Sequence, residues 1–186
     1  LIPDCKRATK QVQDSEFLIG LLVLVKEMKK VGRDVLVGYL NSENLLVTLV
    51  PEVDITFGSF ENTRMFSIDK FLETEEERRG PRARIYISGL LNWVLFSQAK
   101  EIRSKLPSVW KAIYEPTDES EKALAAAAEP SFNQPGLYKH HFKCVQQQID
   151  ALGKLNQMDS YSWLKEKIRR AKDAYASISK KVELEK

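Results

Sequence analysis

Two apolar stripes at the C-terminal end of the chain constrain the fold more than any other feature of the sequence. The first stripe steps alternately by four and three residues and consists of Tyr138, Phe142, Val145, Ile149 and Leu152. The second has the same spacing and consists of Leu164, Ile168, Ala171, Tyr175, Ile178 and Val182. A polar turn over 156–160 separates them. Two such stripes in succession predict an antiparallel helical hairpin whose helices pack on each other in the manner of a coiled coil.

A third helical pattern covers residues 15–31. Apolar residues recur there at helical spacing, and Gly32 follows where a glycine commonly ends a helix. The apolar run 17–25 within it is too short for a membrane span, which takes about 20 residues. We therefore predict a helix that is buried almost all round, with a strand over 21–25 as the alternative.

Residues 35–68 have the pattern of a small sheet. The strand candidates are the short apolar runs 35–40, 45–50, 53–57 and 64–68, which turn residues separate. Their short connections predict an antiparallel β-meander. A sheet of this size needs a helix on its apolar face to be stable. Helix 15–31 and a further predicted helix over 83–105 are available to cover it.

Prolines divide the region that follows. Pro107 ends helix 83–105, and Ser108 is predicted to cap a short helix that stops before Pro116. The stretch 116–136 is acidic and alanine-rich, with few large apolar residues to bury, so we interpret it as a linker.

The predicted fold class is α+β, predominantly helical, with a small antiparallel meander packed by helices and a C-terminal antiparallel helical hairpin. The predicted organisation is an α+β domain over 1–115, a linker over 116–136 and a hairpin over 137–186 that packs on itself or on the first domain.

Composition narrows the class of protein. Hydrophobic residues make up 43% of the chain and charged residues 30%, ordinary values for a globular protein. Two cysteines are too few for a disulfide framework, which favours a reducing compartment, the cytoplasm or the nucleus. The first residue is Leu1, which suggests a segment of a longer protein.

Residues that could perform chemistry are sparse. His140 and His141 are adjacent, so on a helix they point about 100° apart. Cys144 shares a helix face with His140, but two ligands fall short of the three or four that zinc requires. The sequence has no phosphate-binding glycine loop and no evident Ser, His and Asp arrangement. We therefore predict a non-enzymatic protein without catalytic residues, metal or cofactor, and interpret these side chains as surface or partly packed residues.

Aromatic side chains point instead to protein partners. Trp110, Tyr114 and Phe132 lie in short segments bounded by prolines, where they can anchor a partner helix or peptide. The alternative is that they hold this region to the core. The leading hypothesis is a protein–protein interaction module, a scaffold or adaptor within a larger protein or complex, whose hairpin supplies self-association.

The positive charge supports a second hypothesis. The net charge is only +3, but residues 138–186 carry 11 basic and 6 acidic side chains. The candidate ridge on the last helix consists of Lys165, Arg169, Arg170 and Lys172. Such a ridge binds phosphates with strong salt dependence, so nucleic-acid binding is the alternative function. Glu166 and Asp173 interrupt the ridge, however, and pairing between side chains four residues apart explains the same pattern as a solvated face.

A weaker third hypothesis is a small-molecule or lipid site in an apolar pocket behind helix 17–25.

Overall fold

The computed structural model describes residues 14–38, 42–57 and 82–184. The chain divides into two compact units, residues 1–78 and 79–186. Each unit combines helices with a two-stranded sheet, and most of the described residues are helical, which confirms the α+β class. The stretch 116–136, predicted to be a linker, lies within the second unit.

The first unit begins with helix α1 (Ser15–Lys30), as predicted. The Asp14 carboxylate accepts hydrogen bonds from two amides of the first turn, which would otherwise lack partners. At the other end Gly32 adopts φ +74°, the left-handed conformation that glycine tolerates best. The prediction that α1 is buried almost all round is wrong, because only Val25 is fully buried and Ile19 is 61% exposed.

The sheet of the first unit is parallel. Strands β1 (Val35–Val37) and β2 (Val53–Ile55) pair with Val35 opposite Val53. Between them the chain forms a short helix, α2 (Asn44–Val47), where the sequence pattern predicted a strand over 45–50. The predicted antiparallel meander is therefore wrong for these strands. The connection 38–52 exceeds the dozen or so residues that a parallel crossover needs.

The core of the first unit is small. Val25 of α1 packs with Val35 and Val37 of β1 and with Val47 of α2. The predicted strand 64–68 and the end of the predicted strand 35–40 lie outside the described residues, whereas the strand predicted over 53–57 is present at 53–55.

The second unit opens with a β-hairpin. Strands β3 (Arg84–Ile87) and β4 (Asn92–Leu95) pair antiparallel through a 3-10 turn, Ser88–Leu90. The predicted helix over 83–105 is therefore wrong in its first half, while α3 (Phe96–Lys105) confirms the second half. Both strands are almost fully buried, and a continuous apolar run of this kind has no alternation that separates it from a buried helix.

Gly89 brings the hairpin turn against the helix that follows α3, α4 (Pro107–Ile113). A Cβ atom on Gly89 would lie 2.5 Å from Ile113 Cα and 2.6 Å from Ile113 O. Only glycine allows this backbone-to-backbone approach.

Two short helices follow in the region that prolines divide. Helix α4 starts with Pro107 at its first position and has no side-chain cap, so the predicted cap at Ser108 is wrong. Helix α5 (Asp118–Ala125) is capped by Thr117, whose side chain accepts from the Ser120 amide.

The C-terminal helix pair is confirmed as α6 (Pro135–Leu152) and α7 (Gln157–Ile178). Their predicted coiled-coil packing is not confirmed: α6 packs mainly on α5 and β3, while α7 packs on the 3-10 turn and α4. The stripe predicted for α6 is also rotated, because Phe142 is 39% exposed while His140 and His141 are buried.

Candidate functional site

The three predicted aromatic anchors occupy different environments. Trp110 and Tyr114 are 7% and 9% exposed and belong to the main core of the second unit. Their rings stack with centroids 4.3 Å apart. Phe132, in the loop before α6, is 41% exposed. Of the three, only Phe132 has an exposed ring.

Tyr114 also belongs to a hydrogen-bond chain. Its hydroxyl lies 2.5 Å from Ser120 Oγ, and Ser120 Oγ donates to the Thr117 carbonyl oxygen at 3.1 Å. Burial raises the pKa of Tyr114 above its usual value of 10. The tyrosine therefore stays protonated at neutral pH and ties the end of α4 to the start of α5.

The basic ridge on α7 is partly neutralised. Arg169 pairs with Glu166 at 2.7 Å and with Asp173 at 2.7 Å, and Arg170 pairs with Glu166 at 2.7 Å. The two arginines donate hydrogen bonds to Glu166 and lower the pKa of that carboxyl to about 2. The pairing between neighbouring turns that the sequence suggests is present.

The other two ridge residues, Lys165 and Lys172, lie about 40° and 60° around the helix from Arg169, on an exposed face directed away from Arg170. Among the described residues, Lys165 and Lys172 form no ion pair, and both are exposed. They share that face with three exposed apolar side chains, Met158 (75%), Tyr161 (54%) and Ile168 (40%). At 100° per residue the five positions fall within about 80° of the helix circumference. We call this set (Met158, Tyr161, Lys165, Ile168 and Lys172) the outer stripe of α7.

The histidine pair is buried, contrary to the prediction of surface or partly packed residues. His140 and His141 are 0% and 1% exposed. The His140 ring joins two elements: its Nε2 lies 2.9 Å from the Tyr86 carbonyl oxygen on β3, and its Nδ1 lies 3.0 Å from Thr117 Oγ1. The His141 ring packs edge-on against Tyr86, with centroids 4.8 Å apart.

Cys144 lies beside His140 but has the chemistry of a structural thiol. Its Sγ is 3.7 Å from His140 Nδ1, and its side chain has no exposed surface. Burial raises the pKa of the Cys144 thiol to about 12, and desolvation lowers the pKa of His140. Both groups are neutral at pH 7, so the pair holds no thiolate nucleophile.

Gln148 extends this buried polar face of α6. Its Oε1 accepts from the Tyr86 hydroxyl at 3.3 Å, and its Nε2 donates to the Ser88 carbonyl oxygen at 3.3 Å. Sequence reasoning missed the network because the partners of His140 and Gln148 come from the β-hairpin, which was predicted to be a helix.

Ser88, whose carbonyl oxygen accepts from Gln148, also has a buried hydroxyl. This hydroxyl makes no hydrogen bond within the described part of the chain. A buried polar group without a partner costs about 1–3 kcal/mol. We therefore expect Ser88→Ala to raise the free energy of unfolding by up to about 1 kcal/mol, measured by urea denaturation.

Ser120→Ala is the matched control. Ser120 is equally buried, but its hydroxyl bonds to Tyr114 and Thr117. Its removal should lower the free energy of unfolding by about 1–2 kcal/mol. Equal destabilisation by the two substitutions would show that Ser88 Oγ does have a partner.

A shallow cleft lies in the second unit, between α5 and the loop that leads into α6. Small and polar side chains line it, among them Ala123, Ala126, Glu129 and Pro130. Its lining includes no aromatic or long aliphatic side chain. The predicted apolar pocket behind helix 17–25 belongs to the first unit, so this cleft does not bear on it.

Two further observations limit the chemistry of the described residues. No group of three His, Cys, Asp or Glu side chains within 14–38, 42–57 and 82–184 is arranged to hold a metal ion. No helix in that part of the chain has the length and apolar character of a membrane span. Comparisons with models of known protein families, with curated proteins and with solved structures find no match for this chain.

Proposed function

We propose that this chain is a non-enzymatic protein-interaction module that binds a partner helix along the outer stripe of α7. The partner helix combines apolar side chains with carboxylates. The observation that carries the proposal is that three exposed apolar side chains share one narrow face with two lysines that form no ion pair with any described residue.

The apolar half of the stripe supplies the area to bury. Met158, Tyr161 and Ile168 recur at intervals of three and seven residues, the spacing by which amphipathic helices present anchors to one another. Methionine and tyrosine are also enriched at interface cores. Most of α7's opposite face already packs inward, with Leu164, Ala171 and Ile178 buried, so the outer stripe is available to a second surface.

The charged half of the stripe selects the partner. Lys165 and Lys172 flank the Ile168 position one helical turn away on either side, and no carboxylate belongs to the stripe. Two copies of the stripe facing each other would bring four lysines together. A partner bearing glutamate or aspartate complements this charge, whereas a second copy of the chain does not.

The ion pairs of α7 favour a protein over a nucleic acid. Arg169 and Arg170 are held by carboxylates, so a phosphate would have to displace Glu166 and lie beside Asp173. This repulsion weakens the phosphate contacts on which nucleic-acid affinity depends. The buried, neutral Cys144 and His140 likewise support a binding role rather than catalysis.

The test uses two synthetic helical peptides that have the same apolar face. Glutamates flank this face in one peptide, and lysines flank it in the other. We expect the glutamate peptide to bind the full chain more tightly than the lysine peptide, measured by fluorescence anisotropy. Replacing both lysines, with Lys165→Glu and Lys172→Glu together, should lower the affinity for the glutamate peptide by about tenfold. The reason is that two ion pairs at the rim of an interface together contribute about 1.4 kcal/mol.

The matched control is Arg170→Glu, compared with the single variant Lys165→Glu, which changes the same helix by the same charge. It should leave peptide binding within about twofold, because Arg170 lies about 120° or more around the helix from every stripe position. Equal binding of the two peptides would contradict the proposal. Salt-sensitive binding of a DNA or RNA duplex that depends on Arg169 and Arg170 would replace it with the nucleic-acid function.

A further inference from the structure

His140 is the only described residue whose ring nitrogens join α5 to the β-hairpin. The Tyr86 carbonyl oxygen can only accept, so His140 Nε2 carries a proton and donates across 2.9 Å. In the neutral ring Nδ1 then accepts from the Thr117 hydroxyl at 3.0 Å. One side chain thus holds both β3 and the N-terminal cap of α5.

Protonation of this ring changes both the hydrogen bonds and the charge. An imidazolium carries N–H on both nitrogens, so Nδ1 can no longer accept; it can only donate to Thr117 Oγ1, whose own proton must then turn to Ser120 Oγ, 3.1 Å away. The ring is also fully buried, and a buried cation without a paired carboxylate is costly. Burial of the charge therefore disfavours the protonated ring at this site.

The two elements that His140 joins differ in how firmly they are held. Tyr86 is 1% exposed and lies in a paired strand, opposite Trp93. Helix α5 has only eight residues, of which Ser120 and Leu124 alone are buried. An element with so few buried contacts opens before the core does.

We propose that His140 is a pH-sensitive latch, and that protonation of its ring releases α5 from α6 while the β3–β4 hairpin stays folded.

The direction follows from burial. Desolvation lowers the pKa of His140 in the folded chain below the ordinary value of 6.5, which the ring regains when α5 opens. The open state therefore binds the extra proton, and α5 is fully held above about pH 6.5. Its attachment weakens as the pH falls below that value and levels off below the folded pKa.

We attribute the expected pH dependence to His140 rather than to the titratable groups around it. The titratable groups that face it or its immediate contacts are Tyr86 on β3, Tyr114 on α4, Glu115 in the next loop, Glu119 and Glu121 on α5, His141 and Cys144 on α6 and Lys167 on α7. The three glutamates favour the protonated ring, but burial outweighs them. The Lys143 ion pair lowers the pKa of Glu119 below 4.5, so that bridge between α5 and α6 survives mild acid.

The experiment is amide hydrogen exchange of the full chain by NMR, from about pH 8 to about pH 5, corrected for intrinsic exchange rates. We expect the opening of α5, reported by amides such as that of Glu121, to increase as the pH falls through 6.5. One proton per opening limits the increase to about tenfold per pH unit. The amides of Ile85 on β3 and of its partner Val94 on β4 should keep their protection.

Two variants and one titration make the test decisive. His140→Gln should abolish the pH dependence, whereas His141→Gln, one residue along but packed on Tyr86 rather than Thr117, should retain it. If either variant fails to fold, the His140 ring resonances of the unmodified chain serve instead, and their midpoint should match that of α5 opening. A pH-independent α5, loss of β3 and α5 protection in one step, or a ring that titrates while α5 stays protected would overturn the proposal.

Discussion

Replacing Gly89 with alanine is expected to lower the free energy of unfolding of the second unit by at least about 3 kcal/mol, at or beyond the upper end of ordinary overpacking. The added methyl group would lie 2.5 Å from Ile113 Cα. That atom is backbone at the end of α4, and Ile113 is itself 5% exposed in the core, so no flexible side chain can move aside. The hairpin turn and α4 would have to separate.

The measurement is urea denaturation followed by tryptophan fluorescence, since all three tryptophans (Trp93, Trp110 and Trp163) belong to the second unit. Gly136→Ala is the matched control. A Cβ atom there would lie at an ordinary contact distance of 3.7 Å from Glu119 Cβ. Alanine favours a helix more than glycine does, so this substitution in the first turn of α6 should raise the free energy of unfolding by up to about 1 kcal/mol. A Gly89→Ala chain as stable as the unmodified one would mean that the turn does not approach α4 this closely.

Trp110→Ala should lower the free energy of unfolding by about 3–5 kcal/mol, the range for removing a large aromatic side chain from a core. Trp110 is 7% exposed and stacks on Tyr114. The expected loss is one of stability, measured by the same denaturation experiment, and binding of the glutamate peptide at α7 should follow the folded fraction.

Phe132→Ala removes an aromatic ring from the same region but from a position 41% exposed. This substitution should lower the free energy of unfolding by no more than about 1 kcal/mol. If Trp110→Ala kept its stability and lost a partner instead, Trp110 would be the anchor that its place between prolines suggests.

The helices were predictable wherever their ends carry local signals. Asp14 and Gly32 bracket α1, and Pro107 ends α3 as predicted, because caps and breakers act within a few residues of the chain. The β-hairpin was not predictable in the same way. Its strands are buried on both faces, so burial depends on elements that are distant in sequence, and the run around Gly89 fits a helix equally well.

The candidate functional residues likewise divide into those that helix geometry predicts and those that depend on distant parts of the chain. The spacing of Lys165 and Arg169 on one helix, and the pairing of Arg169 with Asp173, follow from helix geometry. The burial of His140 does not, because it needs a carbonyl acceptor 54 residues away on β3. An apolar stripe is the best guide to a buried face only when the elements opposite it are apolar too.

The polar face of α6 also bears on the order in which the second unit folds. His140 and Gln148 reach β3 and its turn through hydrogen bonds that close loops of 54 to 62 residues. Such long loops lose much chain entropy before any contact stabilises them, so they close late. The β3–β4 pairing and the individual helices can form earlier from local contacts. An apolar helix face could shift along the hairpin with little loss of energy, but the hydrogen bonds of His140 and Gln148 allow only one position. We therefore expect α6 to reach its final position along the β3–β4 hairpin only in the last step of folding.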